Sequence, residues 1–199
     1  MVKSGKKKQL RTSTLKHKTK PLSKTRKTKV YTSKDYNAND GMVTSVWGPA
    51  LWHVLHTMSF NYPTNPSKTD KKYYKEFLTN LIYVLPCKYC RINFINNLKQ
   101  MPITLKVMKN RDSFSRYVYN LHELINKMLN KKSTLTYCQV RERYEHFRSR
   151  CTNNETPIDT ETGCTEPLYG NKSKCIINIV PQQTKGESII IDKTCIKHY

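Results

Sequence analysis

Residues 85–91 read Leu-Pro-Cys-Lys-Tyr-Cys-Arg, and this stretch sets the boundary between two helices. Pro86 ends the apolar helix before it, so Cys87 and Cys90 fall in the first turn of the next helix. Unpaired backbone N–H groups and the helix dipole at that position favour a thiolate. Two cysteines at this spacing cycle between dithiol and disulfide with little backbone movement, which favours redox chemistry. Half of a zinc site or a structural disulfide gives the same local pattern, so both remain open.

Apolar residues recur at steps of three and four on both sides of this stretch and predict five helices. The helices extend from Trp47 to about Tyr62, through Tyr73 to Leu85, from Cys87 to about Lys99, from about Ser113 to Asn130, and from Tyr137 to about Arg150. Four main helices with short connections and a shorter fifth helix predict an all-α antiparallel four-helix bundle.

The charge of this 199-residue chain is strongly positive, at +22, with 36 Lys and Arg against 14 Asp and Glu. Residues 1–34 hold 13 of the basic residues and no acidic one. Few apolar side chains accompany them, so burial cannot repay the entropy of ordering, and residues 1–40 are predicted to be a disordered basic tail. Charge attraction suits residues 1–34 to nucleic acid or an anionic surface. A solvated arm is the alternative.

The sequence supports neither a conventional secretory route nor a membrane span. No apolar run of about 7 to 15 residues follows the basic start, and none reaches the roughly 18 apolar residues of a membrane span. The seven cysteines are an odd number, which leaves at least one thiol free or bridging between chains. Without a secretory route, oxidised cysteines need a local source of oxidation.

Residues 151–199 differ in composition from the predicted bundle and are interpreted as a separate appendage rich in Thr, Asn, Glu, Gly and Pro. Two β-branched runs within it, Cys175–Val180 and Ser188–Ile191, predict a β-hairpin. Such a hairpin is marginally stable in isolation, so it must dock, dimerise or be held by cysteines.

The surroundings of the CxxC narrow its chemistry. It begins a helix without a preceding β-strand, which argues against a thioredoxin-like enzyme. A closed zinc site needs a second CxxC or a Cys/His pair at metal spacing, so no metal site is predicted. The first helix instead presents Trp52 and His56, and the fourth presents His122 and Asn126. Aromatic faces with a few polar groups between helices suit a planar cofactor.

Several separate motifs agree with one known family. They are Trp47-Gly48-Pro49-Ala50-Leu51-Trp52-His53-Val54-Leu55-His56-Thr57, Tyr62-Pro63, the quoted residues 85–91, and Leu121-His122-Glu123-Leu124-Ile125-Asn126-Lys127. In order and spacing, across about residues 43–150, the chain resembles the Erv/ALR FAD-linked sulfhydryl oxidases. The short form with a basic tail is most similar to members encoded by large DNA viruses. The resemblance implies an FAD-binding sulfhydryl oxidase domain over residues 41–150.

This resemblance implies a reaction, a cofactor and a homodimer. A protein dithiol substrate would exchange with the disulfide at Cys87, Cys90 would pass two electrons to FAD, and O2 would reoxidise FAD to give H2O2. The positions that match cofactor contacts are Gly48, Trp52, His56, Tyr62, His122, Asn126, Lys131 and Tyr144. A viral member would be a late virus protein, located in the host cytoplasm, the virion or both.

The chain departs from the family at a disulfide that ties the fourth helix to the start of the fifth in many members. Cys138 matches its second cysteine, but Tyr119 stands at the first, so Cys138 is either free or paired with Cys151. Glu123 stands where an Asn is common, which weakens one expected flavin contact.

Two further alternatives stay open from the sequence. The first concerns a disulfide between two of the three appendage cysteines Cys164, Cys175 and Cys195. This disulfide is either a structural staple or a shuttle that relays electrons to Cys87. A non-enzymatic nucleic-acid-binding or virion structural protein is the rival to an FAD-dependent thiol oxidase, because phosphate contacts alone would explain the basic tail.

Overall fold

The chain divides into two units, Met1–Ala38 and Asn39–Tyr199, and the computed structural model describes residues 30–152, 163–187 and 189–195. In the first unit, α1 (Ser33–Tyr36) is a single turn that begins with a capping box. Most of the predicted disordered tail lies outside the described residues. Its described part, residues 30–40, contains this turn.

The described part of the second unit is mainly helical, which confirms the predicted all-α bundle of four main helices and a short fifth. The helices are α2 (Thr44–Asn61), α3 (Lys68–Val84), α4 (Lys88–Gln100), α5 (Arg111–Met128) and α6 (Tyr137–Glu145). Two strands follow, β1 (Ser149–Thr152) and β2 (Gly163–Pro167). None of the described helices is long and apolar enough to span a membrane.

Prolines determine where α2, α3 and α4 end. The residues that precede Pro63, Pro86 and Pro102 have ψ angles of 139°, 130° and 76°, outside the helical range. The proline ring clashes with the preceding residue in the helical conformation, so each helix stops at that point. This mechanism places the residues of the CxxC at the start of a new helix.

The helices α2 to α5 surround the main apolar core. α2 packs on α5 and α6, α3 packs on α4, and α4 packs on α5. The largest fully buried apolar side chains are Tyr62, Leu78, Met108, Phe114, Val118 and Leu121. A second cluster of Phe60, Tyr137 and Val140 lies where α2 meets α6. Much of each predicted apolar stripe therefore faces the interior, whereas Tyr73, Phe77, Met128 and Leu129 are exposed.

A noncovalent contact joins α5 to the start of α6, where the family resemblance placed a disulfide in other members. The Tyr119 hydroxyl donates to the Leu135 carbonyl at 2.8 Å, and its ring meets that of Tyr137 edge-on. Cys138 is exposed and free, so its predicted alternative pairing with Cys151 is wrong. Tyr119 thus holds the two elements together without a covalent bond.

The predicted β-hairpin is misplaced. Neither Cys175–Val180 nor the described part of the second run, residues 189–191, forms a strand. The sheet is instead an antiparallel pair of β1 and β2, with Ser149 opposite Pro167. β-branched residues favour a strand only where a partner strand and packing are available, and these runs have neither.

A disulfide between Cys151 and Cys164 joins the two strands that do form. The Ser149 hydroxyl adds a bond to the Cys164 carbonyl at 2.8 Å. Cys164 is therefore not the partner of Cys175 or Cys195, both of which are free. The predicted staple or shuttle among those three cysteines is wrong, and a staple at β1 and β2 takes its place.

Truncation of a core side chain of α5 should be far more costly than truncation of an exposed side chain at the C-cap of this helix. Leu121 is fully buried and Leu129, just past the end of α5, is 48% exposed. Leu121→Ala should lower the free energy of unfolding by about 2–5 kcal/mol because it leaves a cavity. Leu129→Ala should change it by less than about 0.5 kcal/mol. Urea unfolding followed by circular dichroism checks both values; equal losses would contradict the described core.

Candidate active site

The CxxC forms a disulfide at the start of α4. Cys87 is the N-cap residue, and its sulfur accepts the backbone N–H of Cys90 at 3.1 Å. Both residues are half-buried, and Cys90 packs against the main core. The positive end of the α4 dipole and its unpaired N–H groups therefore act on sulfur, which stabilises a thiolate after reduction.

A short backbone pairing holds this disulfide against the segment that leads into α2. Met42 N–H donates to the Pro86 carbonyl at 2.7 Å, and Lys88 N–H donates to the Asp40 carbonyl at 2.9 Å. Gly41 faces Cys87 across this pairing. Its φ is +125°, and a Cβ there would lie 2.5 Å from the Pro86 carbonyl oxygen, so only glycine fits.

The same pairing brings the start of a second helix to the disulfide. Thr44, the first residue of α2, has its hydroxyl 3.8 Å from the sulfur of Cys90. Arg91 is fixed on the other side, because its guanidinium donates to the Leu85 carbonyl at 2.7 Å. Sequence reasoning assigned no role to Gly41, Thr44 or Arg91. Only Gly41 leaves a trace in the sequence, as the second residue of an Asp-Gly pair typical of turns.

Four of the predicted cofactor positions come together as a cluster of rings from α2, α5 and α6. Trp52 stacks on His122, with ring centres 3.9 Å apart and planes 6° apart. His56 Nε2 and His122 Nδ1 share a hydrogen bond of 3.0 Å, in which one nitrogen donates and the other accepts. The centre of the Tyr144 ring lies 5.2 Å from the centre of the His56 ring. The Tyr144 hydroxyl lies 3.3 Å from His53 Nδ1, within hydrogen-bond distance.

Burial keeps the groups of this cluster neutral. Desolvation, followed by the charges of His122 and His53, lowers the pKa of His56 to about 3. Desolvation and then the nearby Lys131 lower the pKa of His122 to about 4. Desolvation raises the pKa of Tyr144 to about 12. At neutral pH the cluster therefore offers uncharged donors and acceptors beside flat apolar faces.

One atom of the cluster is left unsatisfied. His56 Nδ1 is buried and has no hydrogen-bond partner among the residues that the structure describes. A buried polar atom of this kind is uncommon in a folded protein and calls for a partner. Whichever tautomer His56 adopts, Nδ1 presents a donor or an acceptor inside an aromatic environment. A planar heteroaromatic ligand fits this arrangement.

The remaining predicted positions differ in how far they approach the cluster. Asn126 donates to Glu123 at 3.1 Å, and the backbone N–H of Lys131 donates to the Asn126 carbonyl at 2.8 Å. An exposed cation therefore lies at the edge of the cluster, close enough to act on the pKa of His122. Asn126 is suited to a polar part of a ligand, and Lys131 is suited to an anionic part.

Gly48 and Tyr62 have different surroundings. A Cβ added at Gly48 would meet only Thr44 Cγ2, at 3.7 Å, so the described chain itself does not require glycine there. Tyr62 is fully buried in the main core against Tyr74 and Phe114, and its hydroxyl donates to the Met108 carbonyl at 3.0 Å. Its contacts are those of a core residue, and a role beside the cofactor stays a prediction.

Comparison with known proteins agrees with this arrangement. The sequence pattern of the Erv1 / Alr family matches residues 49–155, more than half of the chain. The chain belongs to the Erv1/Alr family. A probable FAD-linked sulfhydryl oxidase of Acanthamoeba polyphaga mimivirus is 35% identical over 99 residues, which cover 50% of this chain and 68% of that protein.

Other Erv1/Alr proteins extend the comparison. An FAD-linked sulfhydryl oxidase of African swine fever virus (isolate Tick/Malawi/Lil 20-1/1983) is 30% identical over 99 residues, which cover 50% of this chain and 80% of the relative. The crystal structure of the FAD-binding domain of Erv1 from Saccharomyces cerevisiae is 23% identical. Its TM-score is 0.47, and the matched region covers 52% of this chain and 94% of the yeast chain.

Replacement of Gly41 should disturb the frame of the disulfide. Gly41→Ala places a Cβ against the Pro86 carbonyl, and the positive φ alone costs about 1–3 kcal/mol. We expect a lower melting temperature and faster reduction of the Cys87–Cys90 disulfide by a small dithiol. Gly186→Ala is the control, because a Cβ there meets nothing within 4 Å. Equal melting temperatures for the two variants would contradict the role of this pairing.

The two neutral histidines predict a stability loss in acid. Both have folded-state pKa values below the usual 6.5, so the unfolded chain binds more protons between about pH 6.5 and pH 4. The contribution of these histidines to the free energy of unfolding should be fully present above pH 6.5. It should fall on acidification by about 1.4 kcal/mol per pH unit for each imidazole. His56→Gln should remove about one proton from this slope in urea unfolding measured across the range. An unchanged slope would argue against a buried neutral His56.

Proposed function

We propose that this chain is an FAD-linked sulfhydryl oxidase that forms disulfide bonds in protein substrates. The observation that carries the proposal is the Cys87–Cys90 disulfide at the N-terminus of α4, in a chain of the Erv1/Alr family. Its exposed surroundings, its frame of helix termini and the nearby family motifs all serve the same redox chemistry. The viral and eukaryotic relatives carry the name of this activity.

The first half of the reaction is thiol–disulfide exchange at Cys87. A substrate thiolate attacks the Cys87 sulfur, forms a mixed disulfide and releases Cys90 as a thiolate. The Thr44 hydroxyl at 3.8 Å and the start of α4 favour that thiolate. A second substrate thiol then attacks the mixed disulfide, which releases the oxidised substrate. Two electrons and two protons leave the substrate, and the Cys87–Cys90 pair becomes a dithiol.

The surroundings of the two sulfurs support a different role for each of them. Cys90 packs against the core and contacts Thr44, whereas Cys87 caps α4 and has no core contact among the described residues. Cys87 is therefore the sulfur that meets the substrate, and Cys90 is the sulfur directed towards the cofactor. This assignment is the one that the family resemblance implies.

The ring cluster is the proposed place of FAD. Trp52, His56, His122 and Tyr144 would bind its flat rings, and the unpartnered His56 Nδ1 would gain a hydrogen bond from it. Asn126 and Lys131 would hold its adenosine and phosphate side, Gly48 would allow its close approach, and Tyr62 would support the wall behind it. Bound FAD supplies a two-electron acceptor for the Cys87–Cys90 dithiol and a route to O2, which becomes H2O2.

Partners and location extend the proposal. O2 is the terminal electron acceptor, and the working form is a homodimer. Residues 1–34 bind nucleic acid or an anionic surface, as their 13 positive charges favour. Because the mimivirus and African swine fever virus relatives are viral proteins, we place this chain in the host cytoplasm, the virion or both.

A flavin spectrum and one substitution test the enzyme. The purified protein should be yellow, and its flavin absorbance should bleach with dithiothreitol and return in air. Cys90→Ser should reduce O2 consumption by more than about a thousandfold while the flavin stays bound, because electron transfer from the disulfide stops. Cys138→Ser is the control with full activity, since Cys138 is exposed and free. A protein that consumes no O2 after reconstitution with FAD would refute the proposal.

A further inference from the structure

A surface cavity of about 300 Å³ lies between the N-terminal half of α3 and the connection from α4 to α5. Four lysines of α3, Lys68, Lys71, Lys72 and Lys75, form one wall, and Leu105 belongs to the other. With a rise of about 1.5 Å per residue, the middle of this wall lies about 20 Å along α3 from the disulfide. The cavity is therefore separate from the ring cluster and from the CxxC.

The four lysines form a single stripe of positive charge. Their spacing of three, four and seven residues places them on the same face of α3, where neighbours on successive turns repel each other. Lys106 and Lys109 belong to the connection that supplies the opposite wall and add to the positive potential. Such an arrangement destabilises the free helix and favours the binding of an anion.

The protein does not neutralise this stripe. None of the four lysines forms an ion pair with any of the residues that the structure describes. Asp70, the nearest acid on the first turn, accepts the backbone N–H and hydroxyl of Ser67 at 2.8 and 2.7 Å as the helix cap. Glu76 lies one turn after Lys72 and makes no ion pair with it. The Lys72 ammonium lies over the Tyr73 ring, 5.4 Å from its centre, and the other three ammonium groups have no carboxylate partner among the described residues.

The inside of the cavity is apolar although its rim is charged. Met108 forms part of its floor at 1% exposure, and Leu105, at 82% exposure, is an apolar side chain without cover. Thr104 and the lysines supply the rest of the lining, and lysine commonly buries its methylene stem and leaves its ammonium in water. The matching ligand has an apolar group flanked by negative charges.

We infer that this cavity docks an acidic peptide segment of the protein substrate, with one apolar side chain inside it and carboxylates on the lysines. The inference rests on the proposed function, because it takes the partner to be the dithiol protein. The residues that line the cavity include no aromatic ring, the group on which the bases of single-stranded nucleic acids stack. A peptide satisfies both the charge and the apolar interior.

Docking at this distance serves the exchange reaction without obstructing it. A substrate held by its acidic segment leaves Cys87 open, and its thiols then meet the disulfide in an intramolecular step. The site thus selects protein dithiols that carry an acidic segment with an apolar residue over those that do not. Small dithiols bypass this selection.

Binding of a cysteine-free peptide to the flavin-loaded full chain tests the docking site alone. The probe is a fluorescein-labelled peptide with one phenylalanine flanked by two aspartates on each side, measured by anisotropy. Lys71→Gln/Lys75→Gln should weaken its affinity by about tenfold. The control Lys174→Gln/Lys185→Gln removes the same charge from exposed lysines elsewhere and should weaken it by less than about twofold.

The apolar half of the site has its own variants. Leu105→Ala and a peptide with serine in place of phenylalanine should each weaken binding by about threefold to tenfold. Equal losses in the two lysine double variants, or equal affinity of the two peptides, would overturn the inference in favour of general charge attraction. The inference would also fail if a single-stranded oligonucleotide or anionic phosphatidylserine vesicles showed the tenfold loss in Lys71→Gln/Lys75→Gln and the peptide did not.

Kinetics separate this inference from the oxidase itself. For a reduced protein dithiol fused to the probe peptide, Lys71→Gln/Lys75→Gln should raise KM by about tenfold and leave kcat unchanged. Turnover of dithiothreitol should be unaffected by the same variant. Loss of dithiothreitol turnover in the unmodified protein would refute the oxidase and not the peptide site. An unchanged KM for the fused substrate, with normal dithiothreitol turnover, would refute the docking role alone.

Discussion

The chemistry of this protein depends on the backbone pairing between residues 40–42 and residues 86–88. Two hydrogen bonds of 2.7 and 2.9 Å fix the segment before α2 against the turn before α4, so two helix N-termini meet at one disulfide. Neither terminus has an acidic residue in its first turn, so their positive ends act on the sulfurs alone. A carboxylate in either turn would compete with a Cys90 thiolate for the same backbone N–H groups. Glycine, at position 41, is the only residue type that lets the two segments approach this closely.

The ring cluster shows how burial prepares a neutral site in a strongly basic protein. Burial is the main cause that lowers the pKa of both His56 and His122, and the charge of Lys131 lowers the pKa of His122 further. The imidazoles therefore remain hydrogen-bonding groups rather than cations in spite of the +22 charge of the chain. His56 Nδ1 has no hydrogen-bond partner among the described residues, a cost that a ligand with a matching polar edge would remove.

Much of the fold could be predicted because local rules decide it. Pro86 and the other helix-ending prolines act through their immediate neighbours, and the helical periods between them are regular. The site was harder, since the contacts of Gly41 and Thr44 with the CxxC join residues more than forty positions apart and leave no periodic trace. Tyr62 shows a different difficulty: its motif suggests a cofactor contact, its described contacts are those of a core residue, and the cofactor role stays a prediction. The pairing of Cys164 was equally invisible, because sequence spacing alone does not determine disulfide connectivity.

The contact of Tyr119 with the Leu135 carbonyl has a consequence for how the enzyme first becomes active. It joins α5, which carries His122, to the start of α6, which carries Tyr144, through a hydrogen bond and ring packing that do not depend on redox state. A nascent chain in the presence of excess glutathione can therefore assemble the cluster before any of its thiols has been oxidised. An oxidase built in this way requires no earlier oxidase for its own maturation at this junction, so the first copies made can begin a cycle of disulfide formation.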